Sequence, residues 1–301
     1  MPKTSKRAIQ APPTDSLDYG RKRSQWRDVL HRLTRNKLAM LGLVIVLVLV
    51  LAAVFADFVA PYDPDVQDYT NMKAYPSFAH PLGTDDVGRD TLSRIIYGGR
   101  VSLLVSILSI VFGLVVGGII GVSAGYFGGV YDGVIMRVMD VIMAIPGFLL
   151  AVCISSALGQ GIFNTALAIG IGCVPGYARL LRALVLGIRD QEYVEAARVT
   201  GASNARIMFR QIVPNILSPV IVDSTLRIGG CILMISSLSF IGLGVQPPTA
   251  EWGSVVAEGR EVIRSFWPMS TFPGLAIMLT LFGFNLFGDG LRDALDPKLK
   301  N

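Results

Sequence analysis

The chain has 301 residues, 52% of them hydrophobic and 16% charged, with a mean hydropathy of +0.54. Charged residues make up about a quarter of an average soluble domain, so this composition excludes an ordinary soluble globule and indicates a membrane protein. The net charge of +5 does not point to nucleic acid, because ten of the 27 Lys and Arg residues crowd before position 38, where they set membrane orientation.

Residues 1–37 carry Lys3, Lys6, Arg7, Arg21, Lys22, Arg23, Arg27, Arg32, Arg35 and Lys37, with Pro12-Pro13 breaking any early helix. They read as a partly disordered cytoplasmic leader. Leu38 to Ala56 is free of charge and long enough to cross about 30 Å of hydrocarbon, which predicts a first span within 38–60. A cleaved signal peptide fits poorly, since the leader is too long and the apolar core exceeds the usual length of roughly 7 to 15 residues. The positive leader places the N-terminus inside.

Residues 61–100 are acidic-leaning and turn-rich, with Pro61, Pro64, Pro76 and Pro81, and are expected to form an outer, periplasmic loop. The string Leu82-Gly83-Thr84-Asp85-Asp86-Val87-Gly88-Arg89-Asp90-Thr91-Leu92-Ser93-Arg94 stands out within it. Asp90 and Arg94 lie four apart on a predicted helix and read as a surface pair worth a few tenths of a kcal/mol. The acids do not follow the Asp-x-Asp-x-Asp-Gly alternation of a calcium loop.

A five-helix core follows over 101–290. Its first span runs from Val101 to about Ala124, where Gly113, Gly117, Gly118 and Gly121 let helices approach closely in lipid. Gly125-Tyr126-Phe127-Gly128-Gly129 turns the chain. The run from Val141 to Ala178 holds no charge and is too long for one span, so Gly159-Gln160-Gly161 divides it into spans at 134–158 and 162–187, with kinks at Pro146 and Pro175. Further spans are predicted at 216–243 and 268–287, joined by an outer loop from Gln246 to Arg264, and 291–301 returns inside as a tail. The expected architecture is all-α with six transmembrane helices and both termini cytoplasmic.

The polar island at 188–214 interrupts these spans. Asp190 is placed to cap a first short helix, Gly201 to end it in a left-handed turn, Ser203 to cap a second, and Pro214 to mark where that second helix gives way. Helix-turn-helix units also read DNA, but spans on both flanks make this a membrane-proximal loop and no nucleic-acid partner is expected.

Catalytic groups are sparse. His31 and His80 stand far apart, without companions at metal-ligand spacing, and Cys153, Cys173 and Cys231 lie inside apolar runs, where they read as small buried hydrophobes. No paired carboxylates or nucleophile-base couple marks an enzyme. No Gly-x-x-x-x-Gly-Lys-Ser/Thr loop is present, so this chain is expected to bind no cofactor; if ATP drives transport, ATP and Mg2+ belong to a partner. The ionisable residues noted in spans are Arg137, Asp140, Asp223 and Arg227, each costing about 2.5–3.5 kcal/mol at mid-bilayer. Each pair is spaced for mutual neutralisation, and the functional alternatives are a polar lining for substrate or, in a secondary transporter, ion sites at Asp140 and Asp223.

These residues resemble a known family, the inner-membrane permease subunits of binding-protein-dependent, ATP-driven importers. Their cytoplasmic loop carries Glu-Ala-Ala, three residues, Gly, nine residues, then Ile-x-Leu-Pro. Glu195-Ala196-Ala197, Gly201 and Pro214 match at that spacing, while Gln211 and Val213 replace the usual Ile and Leu. The 82–94 string, Gln246-Pro247-Pro248-Thr249-Ala250-Glu251-Trp252-Gly253 and the stretch from Gly288 to Pro297 extend the likeness over most of the chain, which is similar to the C-type permeases of peptide importers and nearest to the dipeptide members. The resemblance implies a type I, MetI-like fold, a second permease in a heterodimer, two ABC ATPase subunits and a periplasmic peptide-binding protein. It also implies that Glu195, Ala196, Ala197, Gly201 and Pro214 couple ATP-driven motion to alternating access. Oligopeptide, glutathione and nickel permeases share these motifs.

Overall fold

Backbone N–H and C=O groups cannot stay unpaired in hydrocarbon, so each long apolar run must become a helix. The computed structural model describes residues 25–295; the leader as far as residue 24, and the tail from residue 296 together with Asp296-Pro297 of the C-terminal motif, lie outside the described residues. α1 (Gln25–Arg35) meets α2 (Lys37–Val54) at Asn36, whose side chain accepts from the backbone N–H groups of Leu38 and Ala39. After the short α3 (Ala56–Val59), α4 (Thr91–Phe127) begins inside the predicted outer loop, and its 37 residues make it about 55 Å long at 1.5 Å per residue. That exceeds the ~30 Å hydrocarbon layer, so α4 extends beyond the predicted span at both ends.

α5 (Gly129–Met143) and α6 (Gly147–Leu158) occupy the span predicted at 134–158, but they meet at 84° rather than in a kink. Pro146 supplies no N–H and disfavours helical geometry at Ile145, and Gly147 then opens a new helix. α7 (Ile162–Ile188) carries Pro175 within a continuous helix. Two short helices follow, α8 (Glu192–Val199) and α9 (Asn204–Ile207), and then α10 (Val213–Phe240). At the far end α11 (Trp252–Gly259) lies in the predicted outer loop, and α12 (Pro268–Leu295) closes the bundle. Among the described residues, five helical stretches are long and apolar enough to cross a membrane, and the bent α5–α6 pair makes a sixth if counted as one span.

The packing centres on α4 against α7. Gly121 shows why the glycine face is needed: a Cβ there would sit 2.2 Å from the carbonyl oxygen of Ala178, so any side chain forces the two helices apart. Val105, Tyr177, Val185, Ile235 and Leu238, from α4, α7 and α10, are fully buried in the shared core. A smaller cluster joins Ala53 of α2, Leu103 of α4, Ile232 of α10, Trp252 of α11 and Phe284 of α12.

The two ends of α4 carry different polar structures. Near Thr91, the Asp85 carboxylate accepts from Arg89 Nε at 2.5 Å and Arg94 Nη1 at 2.7 Å, while Glu258 of α11 accepts from Arg89 Nη2 at 3.0 Å and Arg94 Nη2 at 3.0 Å. Arg94 is wholly buried and Glu258 only 14% exposed. The surface pair expected between Asp90 and Arg94 is therefore absent. Asp90 instead caps α4, accepting from the N–H and hydroxyl of Ser93 at 2.8 Å each, and pairs with His80 Nδ1 at 3.0 Å. Oxygens of Asp85, Asp86 and Glu258 approach within 4.8 Å of one another, but those of Asp85 and Glu258 are already engaged by the two arginines.

Candidate functional site

The polar island folds as a knob at the Phe127 end of the bundle. α8 begins after Gln191, which makes no side-chain cap; Asp190, expected to cap it, pairs with Arg189 at 3.3 Å instead. The helix ends as the sequence predicts. Gly201 has φ +79°, the N–H of Ala202 reaches the carbonyl of Ala197 at 3.1 Å, and the N–H of Gly201 reaches that of Arg198 at 3.1 Å. Those two bonds form a Schellman motif, which places a left-handed residue just beyond the helix, where glycine lacks the Cβ that opposes it. Ser203 caps α9 by accepting from the N–H of Arg206 at 3.4 Å.

Pro214 does not end the second helix. Residues 208–212 form one π turn, and Pro214 lies in the first turn of α10, so the chain is helical from Asn204 to Phe240. A proline lacks the N–H that would bond the carbonyl four residues back, and a local wide turn accommodates that loss without breaking the rod.

The knob has an apolar underside and a polar outer face. Val194, Ile207 and Ile212 are fully buried in the core that α4 and α7 also build. The Tyr126 hydroxyl donates to Asn204 Oδ1 at 2.9 Å, and Arg189 Nη1 donates to the carbonyl of Gly125 at 2.9 Å. These ties fix the knob to the end of α4. Outside, Tyr193, Ala196, Ala197, Gly201, Arg206 and Arg210 line an open concavity of about 540 Å³. Glu195 is exposed and pairs with no described residue; Arg198 lies over the Tyr126 ring at 5.9 Å rather than against Glu195. Small side chains thus line the opening together with two arginines, and Glu195 precedes Ala196 in the chain with its carboxylate exposed.

The charges expected within spans are rearranged. Asp223 and Arg227 pair along α10 as the spacing implies, with Arg227 Nη2 3.4 Å from Asp223 Oδ1. Arg137 and Asp140 do not pair: Asp140 bonds Arg179 of α7, and Arg137 is exposed with no described ion partner. Asp132 bonds Arg182 through Nε at 2.5 Å and Nη2 at 2.6 Å. Arg179 and Arg182 lie inside the predicted 162–187 span, and their presence there is the signal that reading from near-neighbour pairs passes over.

The helical bundle, with a helix-turn-helix at one end and ion pairs joining its helices, has the architecture of a polytopic membrane protein. The family model described as binding-protein-dependent transport system inner membrane component matches residues 117–301, and that of the N-terminal TM domain of oligopeptide transport permease C matches residues 24–81. The chain belongs to the binding-protein-dependent transport permeases. It is 52% identical to the dipeptide transport system permease protein DppC of Escherichia coli K12, covering 90% of this chain and 92% of that one. Identity is 44% to the di/tripeptide permease DppC of Pseudomonas aeruginosa, with 92% of each chain covered, and 44% to the glutathione permease GsiD of Shigella flexneri at the same coverage. Among solved structures, the inward-facing MetNI methionine ABC transporter shares the fold, with a TM-score of 0.54 and 19% identity over 67% of this chain and 97% of that one.

Proposed function

We propose that this chain is one of two permease subunits through which a bacterial ATP-driven importer moves dipeptides, or other short peptides, across the inner membrane. The observation that carries the reading is the knob: a concavity lined by Ala196, Ala197 and Gly201, with the exposed Glu195 next in the chain, mounted on α7 and on the rod that becomes α10. Two ATPase subunits supply the ATP and Mg2+ chemistry and seat against this knob. Their closure tilts it, and because Val194, Ile207 and Ile212 lock it to the core, the motion passes into α4, α7 and α10. A periplasmic binding protein delivers the peptide, and both termini of this chain are cytoplasmic. The substrate named for the relatives at 52% and 44% identity supports dipeptides; the glutathione relative at 44% keeps a γ-linked peptide as a second reading.

The test is uptake of a labelled dipeptide by cells carrying Glu195→Ala or Gly201→Asp. A Cβ at Gly201 meets nothing within 4 Å; φ +79° strains any side chain there, aspartate less than most, so this change puts a carboxylate into the socket at a modest cost to the turn. Both variants are expected to insert normally and to lose uptake at least about tenfold, a barrier change near 1.4 kcal/mol. Wild-type uptake in both would remove the coupling role. Competition of dipeptide uptake by glutathione in the unmodified complex separates the two substrate readings.

A further inference from the structure

Asp223 and Arg227 sit about 15 and 21 Å along α10 from Val213 at 1.5 Å per residue, near the middle of a helix of about 42 Å. Their side chains are 29% and 34% exposed. Asp223 borders a cavity of about 400 Å³ that Leu180, Ser218 and Leu226 line together with Arg292 and Leu295 of α12, so the open side of the carboxylate faces a cleft between α7, α10 and the end of α12. The helix around them points the same way. Leu226 and Gly229 pack on α12 against Gly288 and Leu281, whereas Gly230 meets nothing within 4 Å and shares with Asp223, Arg227, Met234 and Ser237 a stripe that is not buried.

The arginine is held in a built cradle. Its guanidinium lies 4.8 Å from the centre of the fully buried Tyr177 ring, and Tyr177 is itself fixed by its hydroxyl contact with Ser224 Oγ at 3.0 Å. Gly176 leaves the room: a Cβ there would come within 3.2 Å of Arg227 Nη1. Nε and Nη2 contact Asp223, while Nη1 has no hydrogen-bond partner among the described residues. On the carboxylate, Oδ1 receives only the 3.4 Å contact. The pair is thus neutral as a whole, with a donor left over at one end and an underused acceptor at the other. An ion pair placed only for mutual neutralisation needs neither the aromatic shelf nor the glycine beneath it.

We propose that the Asp223–Arg227 pair is a station in the transport route that holds the charged termini of a zwitterionic peptide. This rests on the peptide-importer reading above and deepens it. The free Nη1–H donates to the peptide's terminal carboxylate, and Asp223 Oδ1 accepts from its α-ammonium group. An extended dipeptide spans about 7 Å, short enough for its two ends to address one such pair. A neutral zwitterion on a neutral pair adds no net charge to the site, and each end of the pair offers a group that its partner does not fully engage.

The experiment uses the full complex with its binding protein in proteoliposomes, where dipeptide uptake by the unmodified complex first establishes the substrate independently. The Asp223→Leu, Arg227→Leu double variant then removes both charges together. Replacing a buried ion pair by apolar residues of similar size is often neutral for stability, so a purely structural pair predicts unchanged uptake. The station predicts an assembled complex with normal basal ATP hydrolysis and dipeptide uptake reduced at least tenfold; uptake at the unmodified rate overturns it. If the double variant does not assemble, Gly230→Cys in a chain freed of its native cysteines decides. Labelling by a charged methanethiosulfonate reagent, slowed by dipeptide during turnover, supports the station, and absence of labelling or labelling indifferent to dipeptide overturns it.

Discussion

At the scale of single residues, the most consequential group outside the knob is Arg94. It is wholly buried, and its two partner carboxylates, Asp85 and Glu258, come from the segment before α4 and from α11. Removing one member of a buried, hydrogen-bonded ion cluster leaves the others uncompensated, at a cost of about 3–5 kcal/mol. Arg94→Met is therefore expected to lower the thermal midpoint of the detergent-solubilised complex by several degrees, and adding Glu258→Gln to restore part of it; equal midpoints for Arg94→Met and the unmodified chain would contradict this account. The cluster also shows what spacing conceals. Asp90 and Arg94 look like a pair because four residues make about one turn, but the partners of Arg94 are Asp85, nine residues back, and Glu258, 164 residues away. Asp140 repeats the case, turning from Arg137 on its own helix to Arg179 on α7. Asp223 and Arg227 are legible because both charges are on one helix and the neighbouring helix offers an aromatic ring and a glycine rather than a rival charge.

At the scale of elements, the seam between α4 and α7 depends on backbone-to-backbone approach. Gly121→Val would thrust a branched side chain into the Ala178 carbonyl, and overpacking of this kind costs about 1–3 kcal/mol or more. Gly118→Ala is the control, since its nearest neighbour, a Leu181 methyl, is 3.9 Å away. The first variant should lower the midpoint or abolish insertion, and the second should leave it unchanged. That several glycines mark a contact helix is visible in sequence, because small residues at helical spacing permit close packing in lipid. The α5–α6 break is not. The uncharged run continues unbroken across Pro146, and Pro175, Pro219 and Pro273 lie within continuous helices, so proline alone does not distinguish a bend from a corner. Both arms of the corner rest on α7, α6 through apolar packing and α5 through Met139 and the Asp132–Arg182 and Asp140–Arg179 pairs, and these long-range contacts are not visible in the sequence around Pro146. Pro214 errs in the other direction, reading as a stop while the π turn before it carries the helix through.

At the scale of the whole molecule, α4 is the rod that joins the two polar ends. Its first turns hold the Asp85–Arg94–Glu258 cluster, and its last hold Tyr126, which anchors the knob through Asn204. A push on the knob can therefore reach the far end without passing through a flexible joint, provided the knob faces the ATPases and the cluster faces the binding protein. Charge distribution predicts that orientation: the leader is rich in Lys and Arg, the 188–214 loop carries four arginines against three acids, and the region from 61 to 90 is acidic-leaning. In a background with Cys153, Cys173 and Cys231 replaced by alanine, the exposed positions Asp65 and Ala205 give the test as separate cysteine variants. A membrane-impermeant maleimide added to cells with a permeabilised outer membrane should label Asp65→Cys at once and Ala205→Cys only after the inner membrane is opened. The reverse pattern would put the concavity on the side where no ATP is hydrolysed, and with it would go the assignment of Glu195 and Gly201 to coupling.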